Sequence, residues 1–444
     1  MITAEQQTRW QERQLAALTP PHRGPDSGDL LERVRQQARA SLPDQPVLNR
    51  KQEAWRYTSV DKLLAQTYAA PRHREELGEA DIAGYDLPEL DGYRLVFHNG
   101  QCLPKLARLD GLPQGAIAGS LRACLSTDGG LISRHLGQQA GLEGNLFTAL
   151  NGSLIDNGLL LHIGAGVELD RPIQIVHISE GLGQAVVSQP RHLIVLEAGA
   201  RATVVEHFVG QDADGYFHNN LAEIVLGEHA ALEHYRLQDE GDASYHLSSL
   251  YLQLQAASLY RGTALSFGGA WARTDYKVAF AGEAASCDLS GLYTAGDEQL
   301  NDIHLDVRHN LPRCTSRERF KGIAHGQGHA VFDGRVLVER DAQRSDARLK
   351  NDNLMLSRKA MIDTKPQLEI YADDVVCSHG TTVGQIEPDQ LFYLRSRGIG
   401  PATALRMLCQ GFAGEIVEDM DSEPLREHAY ARLSSILDNA GQTE

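Results

Sequence analysis

Leu193-Ile-Val-Leu-Glu-Ala-Gly-Ala-Arg-Ala-Thr-Val-Val-Glu-His207 has a near copy downstream, Glu223-Ile-Val-Leu-Gly-Glu-His-Ala-Ala-Leu-Glu-His234. Leu196 matches Leu226 and Ala200 matches Ala230, a repeat of 30 residues. Each copy reads as strand, tight turn, strand, and an earlier segment from Leu159 to His177 has a similar Gly-Ala-Gly turn. Repeated strand–turn–strand units with no helix between them predict a β-solenoid, in which each coil buries its apolar face on the next. A β-sandwich would show strands of similar length, but it gives no reason for a fixed period.

Outward from the repeat, the chain divides into three parts. Residues 1–93 are predicted to form an N-terminal helical domain, with helical spacing over Ala4–Leu18 and Asp29–Leu42 punctuated by Pro20-Pro21 and Pro43-Asp-Gln-Pro46. Residues 94–385 are predicted to be the β core, mostly short Val-, Leu- and Ile-rich strands separated by Gly, Asn and Asp turns. Residues 386–444 return to helical periodicity, with prolines near the first turns at Pro388, Pro401 and Pro424. There Leu405, Leu408 and Phe412 form an i, i+3, i+7 stripe that suits either the protein's own body or a partner.

The 444 residues carry a formal charge of −17 and no basic stripe, which argues against sequence-independent nucleic-acid binding. The polar start and the lack of long apolar runs predict a soluble, cytoplasmic protein. Six cysteines, at 102, 124, 287, 314, 377 and 409, have no Cys-x-x-Cys spacing and read as free thiols. No Gly-Lys pair occurs, so there is no P-loop, and G-x-G-x-x-G, G-x-S-x-G and H-E-x-x-H are absent too.

Three groupings remain. In Asn301–His309, Ile303, Leu305 and Val307 alternate with Asp302, His304, Asp306 and Arg308, and the polar set is expected on a solvated outer face. His325 and His329 share a Gly-rich segment and read as structural. Cys377 and His379 lie two apart on a strand, hence on one face, where thiol and imidazole suit iron or zinc better than magnesium or calcium. Two ligands do not complete a site, so the others must come from elsewhere.

The ordered runs Phe332-Asp-Gly-Arg-Val-Leu-Val-Glu339, Asn353-Leu-Met-Leu-Ser357, Pro366-Gln-Leu-Glu-Ile370, Ala372-Asp-Asp-Val375, Cys377-Ser-His-Gly380 and Leu391-Phe-Tyr-Leu-Arg-Ser-Arg-Gly398 resemble the SufB/SufD family of iron–sulfur cluster assembly proteins. Cys-Ser-His-Gly and Glu53-Ala-Trp-Arg-Tyr-Thr58 resemble its SufD branch, SufB having a Glu-His-Glu-type sequence at the former. The resemblance implies a mainly β fold, a right-handed parallel β-helix flanked by helical domains. It implies a non-catalytic scaffold in a SufB–SufC–SufD complex, paired with SufB through the β-helices. SufC, an ABC-type ATPase, would dock on the C-terminal helices, with Leu405, Leu408 and Phe412 as contacts.

It further implies that His379 is a ligand to a transient iron–sulfur cluster shared with SufB, with Cys377 accessory, and that the isolated chain has no tightly bound cofactor. The complex is also associated with reduced flavin, for which the sequence shows no site. A homodimer of the chain alone is compatible with an exposed β-helix face. The rival reading is a carbohydrate-active β-helix of the polysaccharide lyase type, using Asp302, Asp306, Arg308 and Arg313. The helical tail has no use in that class.

Overall fold

Leu196 pairs with Leu226 in parallel, and Arg201 pairs with Ala231 directly after the matched alanines. The repeat is therefore one coil of a parallel β-solenoid. The computed structural model describes residues 2–18, 28–72, 74, 76–85, 87, 90–142, 144–211 and 215–440. Two sheets of ten strands each face one another across the solenoid. In one, Ala231, Leu259, Ser286, Thr315, Asp346 and Val376 stand in register, one per coil. In the other, Tyr245, Trp271, Leu300, His329 and Met361 do so.

Inward-facing residues of both sheets, among them Ile194, Ile224, Leu252, Val278, Val307, Phe332 and Leu349, form one continuous core. One corner is built the same way in coil after coil. Gly166, Gly199, His229, Ala257, Ala284, Arg313 and Arg344 all adopt positive φ there. The amide of each donates to a carbonyl in the next coil's turn, as from Gly199 to Glu228 and from Arg313 to Gln343. Glycine takes this conformation freely, whereas other residues do so at a cost of roughly 1–2 kcal/mol each. The following positions are small and buried, including Ala200, Ala230, Ala285 and Cys314. Cys314 is thus a corner-filling residue, and all six cysteines are free.

Two helices interrupt the region expected to be strands, Leu121–His135 and Leu146–Leu154. The second is buried on every side, so its sequence has no amphipathic period to betray it. Its start is fixed by the Asn145 side chain, which accepts from the Thr148 amide at 3.1 Å. The Ser120 hydroxyl caps the first in the same way, and Gly129-Gly130 inside it disguise its helical character.

Each sheet has a helical cover on its outer face. Trp10, Trp55, Phe147 and Leu150 pack with Phe217, Leu247 and Trp271 on one. Cys409, Ala413, Ile416, Leu425 and Leu433, from the helices Pro401–Val417 and Glu423–Ala440, pack with Val205, Leu237, Leu265 and Ile323 on the other. No described helix is long and apolar enough to cross a membrane.

The first cover corrects the expected solvation of Asp302. Its carboxylate is fully buried, accepting from Arg273 at 3.0 Å and from the Thr58 hydroxyl, with His304 Nε2 also at 3.0 Å. The motif Glu53–Thr58 makes this seal. Trp55 lies under the Arg273 guanidinium, the Ala54 carbonyl accepts from Arg273 at 2.7 Å, and Glu53 pairs with Lys365 at 2.8 Å. Ile303, Leu305 and Val307 face inward as expected.

Candidate functional site at the open end of the solenoid

The final coil is made of Met361–Ile370 and Val376–Gly384. Each is the terminal strand of its sheet, paired on one side only. No described strand stacks on either, so inward-facing residues that would be buried in any earlier coil are open here. Of these inward-facing residues Ile370 and Val383 are exposed, and so are Met361 and Val376, which continue outward-facing columns, and Tyr371 just after its strand, with Tyr371 at 60% and Val376 at 59%. An unpaired strand edge beside exposed apolar side chains is the kind of surface that other chains pair with.

Cys377 and His379 lie on this edge. Cys377 is in register with Ala347 and His379 with Leu349, both buried core residues. The two side chains therefore continue the interior columns of the solenoid, but no described strand stacks on them. Cys377 is half-buried against the core, while His379 is exposed. Burial pushes the Cys377 thiol above its usual pKa, and Asp346 adds to this against the pull of the Ala347 backbone. The thiol is therefore protonated near neutral pH, and a metal binding there must displace the proton. No third His, Cys, Asp or Glu among the described residues closes a three-ligand group with the pair. Thiol and imidazole are soft and borderline donors of the kind that suit iron or zinc, and two donors are half the number a four-coordinate site needs.

Supporting structure reaches this coil from below. Arg335 makes a two-pronged contact with Glu369 of the last coil, at 2.7 and 2.9 Å, and a third with Asp306 at 3.1 Å. Gly334 leaves room for Phe332 and Leu349, which a Cβ would meet at 2.8 and 2.7 Å. The Phe332-Asp-Gly-Arg335 run is thus a packing and ion-pairing unit beneath the open end. Lys365 bridges Asp333 and Glu53, tying the same coil to the N-terminal cover.

The other predicted residues lie apart. His325 is buried in a turn over Gly296, where a Cβ would come within 2.3 Å of the imidazole Nε2, and His329 begins the next strand and contacts Asp363 at 2.7 Å. Positive φ at Gly326 turns the chain between them, so they do not share a strand face. Asp306 is held by Arg308 and Arg335, and Arg313 pairs with Glu283 at a corner. The carboxylates and Arg313 do not converge. Strand rise alone separates Asp302 from His309, at the corner end, by roughly 23 Å. In the C-terminal helices Leu405 and Phe412 are half-buried and pack on the protein's own body, with Lys321 Nζ 4.3 Å above the Phe412 ring. Leu408 is half-buried, whereas neighbouring Met407, Phe392 and Tyr393 are exposed.

The fold defines a parallel β-solenoid protein whose last coil leaves Cys377 and His379 on an open strand edge. Comparison with known proteins covers most of the chain. A family model described as SUF system FeS cluster assembly, SufBD core domain matches residues 177–412, and the SufBD protein N-terminal region matches 24–175. An iron-sulfur cluster assembly SufBD family protein of Synechocystis is 32% identical over 88% of both chains. The iron-sulfur cluster assembly protein SufD of Escherichia coli is 31% identical over 91% of this chain and 92% of its own. The chloroplastic protein ABCI7 of Arabidopsis thaliana is 30% identical over 93% of this chain and 87% of its own. The chain belongs to the SufBD family of the SUF iron–sulfur cluster assembly system.

Proposed function

We propose that this chain is a SufD-type, non-catalytic scaffold subunit that contributes His379 to a nascent iron–sulfur cluster at an interface with SufB. The observation that carries this reading is the open final coil, where His379 is exposed beside Cys377 with no third ligand among the described residues. The cluster is cargo. A site divided between chains can be taken apart by a rigid-body change at the interface, which suits a cluster that must be handed on. Histidine in place of thiolate also lowers the negative charge around the cluster. Cys377 has an accessory part, its proton leaving as metal arrives.

The ATPase SufC docks on the C-terminal helices. Its surface there includes Leu408 together with exposed Met407, Phe392 and Tyr393, while Leu405 and Phe412 act by anchoring the helix beneath. ATP-driven closure of SufC moves these helices and, through them, the sheet they cover. The test is co-expression with SufB and SufC from a related system. The reading expects a stable three-component complex that Leu408→Asp with Met407→Asp depletes of SufC but not of SufB. A chain that co-purifies with neither sinks it.

A further inference from the structure

Between the solenoid and the last helix, His207, Asp239 and His428 bring one ligand atom each within 4.8 Å of one another. His207 is on the strand Arg201–Gln211, Asp239 ends the strand Ala231–Asp239, and His428 is on the helix Glu423–Ala440. His207 is 97% buried, being 3% exposed. Its Nδ1 lies 3.1 Å from the Tyr85 carbonyl, which can only accept, so Nδ1 carries the proton and the Nε2 lone pair is free. Among the described residues that Nε2 has no hydrogen-bond partner, and neither does Nε2 of His428. Asp239 Oδ1 is held by Arg432 Nε at 2.7 Å, leaving Oδ2 turned toward His428 Nε2 at 3.9 Å.

A gap of 3.9 Å is too long for a hydrogen bond, but it is close to the roughly 3.4 Å between ligands of a tetrahedral ion with bonds of about 2.1 Å. The Tyr85 carbonyl and Arg432 fix the ligands from behind, as outer partners of metal ligands do. Asp239 and Arg432 also line a cleft of about 900 Å³, which provides a route of entry and space for a water ligand. A second buried group, His177, His192 and Glu206, fails on chemistry. The Leu159 amide donates to His192 Nδ1, so the neutral ring carries its proton on the unpartnered Nε2.

We infer that His207, Asp239 and His428 form a site for a divalent transition ion of the zinc or ferrous class, clamping the C-terminal helix to the solenoid. Two imidazoles and a carboxylate match that class and leave a coordination position open to the cleft. The nearby Arg432 charge weakens binding. The site is independent of the open end and of the proposed cluster role.

The test uses the purified full chain carrying Cys377→Ser and His379→Ala, stripped with chelator, and titrated with Zn²⁺ by calorimetry and Co²⁺ by absorption. One ion per chain is expected, with cobalt ligand-field bands and no thiolate charge-transfer band. Adding His428→Gln is expected to weaken binding at least about tenfold, and so is His207→Gln. If the buried His207→Gln variant does not fold, His428→Gln on the partly exposed helix decides. Absence of saturable binding, unchanged binding in His428→Gln, or a thiolate band overturns the site.

Discussion

Glu318 offers a quantitative test of how the solenoid interior is built. It stands in register between Leu289 and Leu349, two coils below His379, and is fully buried. Among the described residues neither carboxylate oxygen meets a donor in good hydrogen-bond geometry, and the nearby Ser316 hydroxyl is engaged by His309 Nε2 at 3.0 Å. Burial pushes the Glu318 pKa up to about 8, Asp288 adding to the rise and Ser316 offsetting part of it. Below the ordinary value of 4.5 both folded and unfolded chains are protonated there, and the stability of the protonated form is fully present. As pH rises, the unfolded chain releases a proton that the folded chain keeps. Stability then falls by about 1.4 kcal/mol per pH unit until the folded pKa is passed. At pH 7 the accumulated loss is about 3 kcal/mol. Glu318→Gln, which ionises in neither state, is expected to be more stable than wild type by about that amount at pH 7 and to lose its advantage near pH 4. Urea-denaturation midpoints of both proteins across this range measure the gap. A gap that stays constant with pH would refute a neutral, desolvated Glu318.

Two further outcomes follow from the covers and the edge. Asp302→Ala leaves the buried Arg273 with Asp275 as its remaining carboxylate partner among the described residues and strands the Thr58 hydroxyl, and should cost about 3 kcal/mol in denaturation experiments. Burial raises the Asp302 pKa, but His304 and Arg273 outweigh it and hold the carboxyl below its usual value, so this support is present above the ordinary carboxylate pKa and disappears as pH falls through the folded one. Tyr371→Asp with Val376→Asp places charge on the open edge while touching no buried contact. Light scattering should show loss of self-association or partner binding, with the melting temperature unchanged.

The corner column explains how far the repeat was legible. At Gly166 and Gly199 the left-handed residue is glycine and the turn announces itself. In later coils His229, Ala257, Ala284, Arg313 and Arg344 take the same conformation, so the geometry continues after the sequence signal has faded. Period two was enough to place Cys377 and His379 on one face, because a strand fixes that face whatever surrounds it. It could not reveal the solvation of Asp302, since the lid of Glu53–Thr58 comes from far away in the chain. The His207–Asp239–His428 group is invisible for the same reason: its members are joined only when the last helix docks.

The most direct measurement is cluster assembly on the proposed complex of this chain with SufB and SufC, supplied with iron and sulfide and followed by absorption and Mössbauer spectra. His379→Ala is predicted to reduce retained cluster by at least about tenfold, and His379→Cys to restore a cluster with an altered spectrum. Full assembly with an unchanged spectrum in His379→Ala would contradict the claim that the open end supplies a ligand.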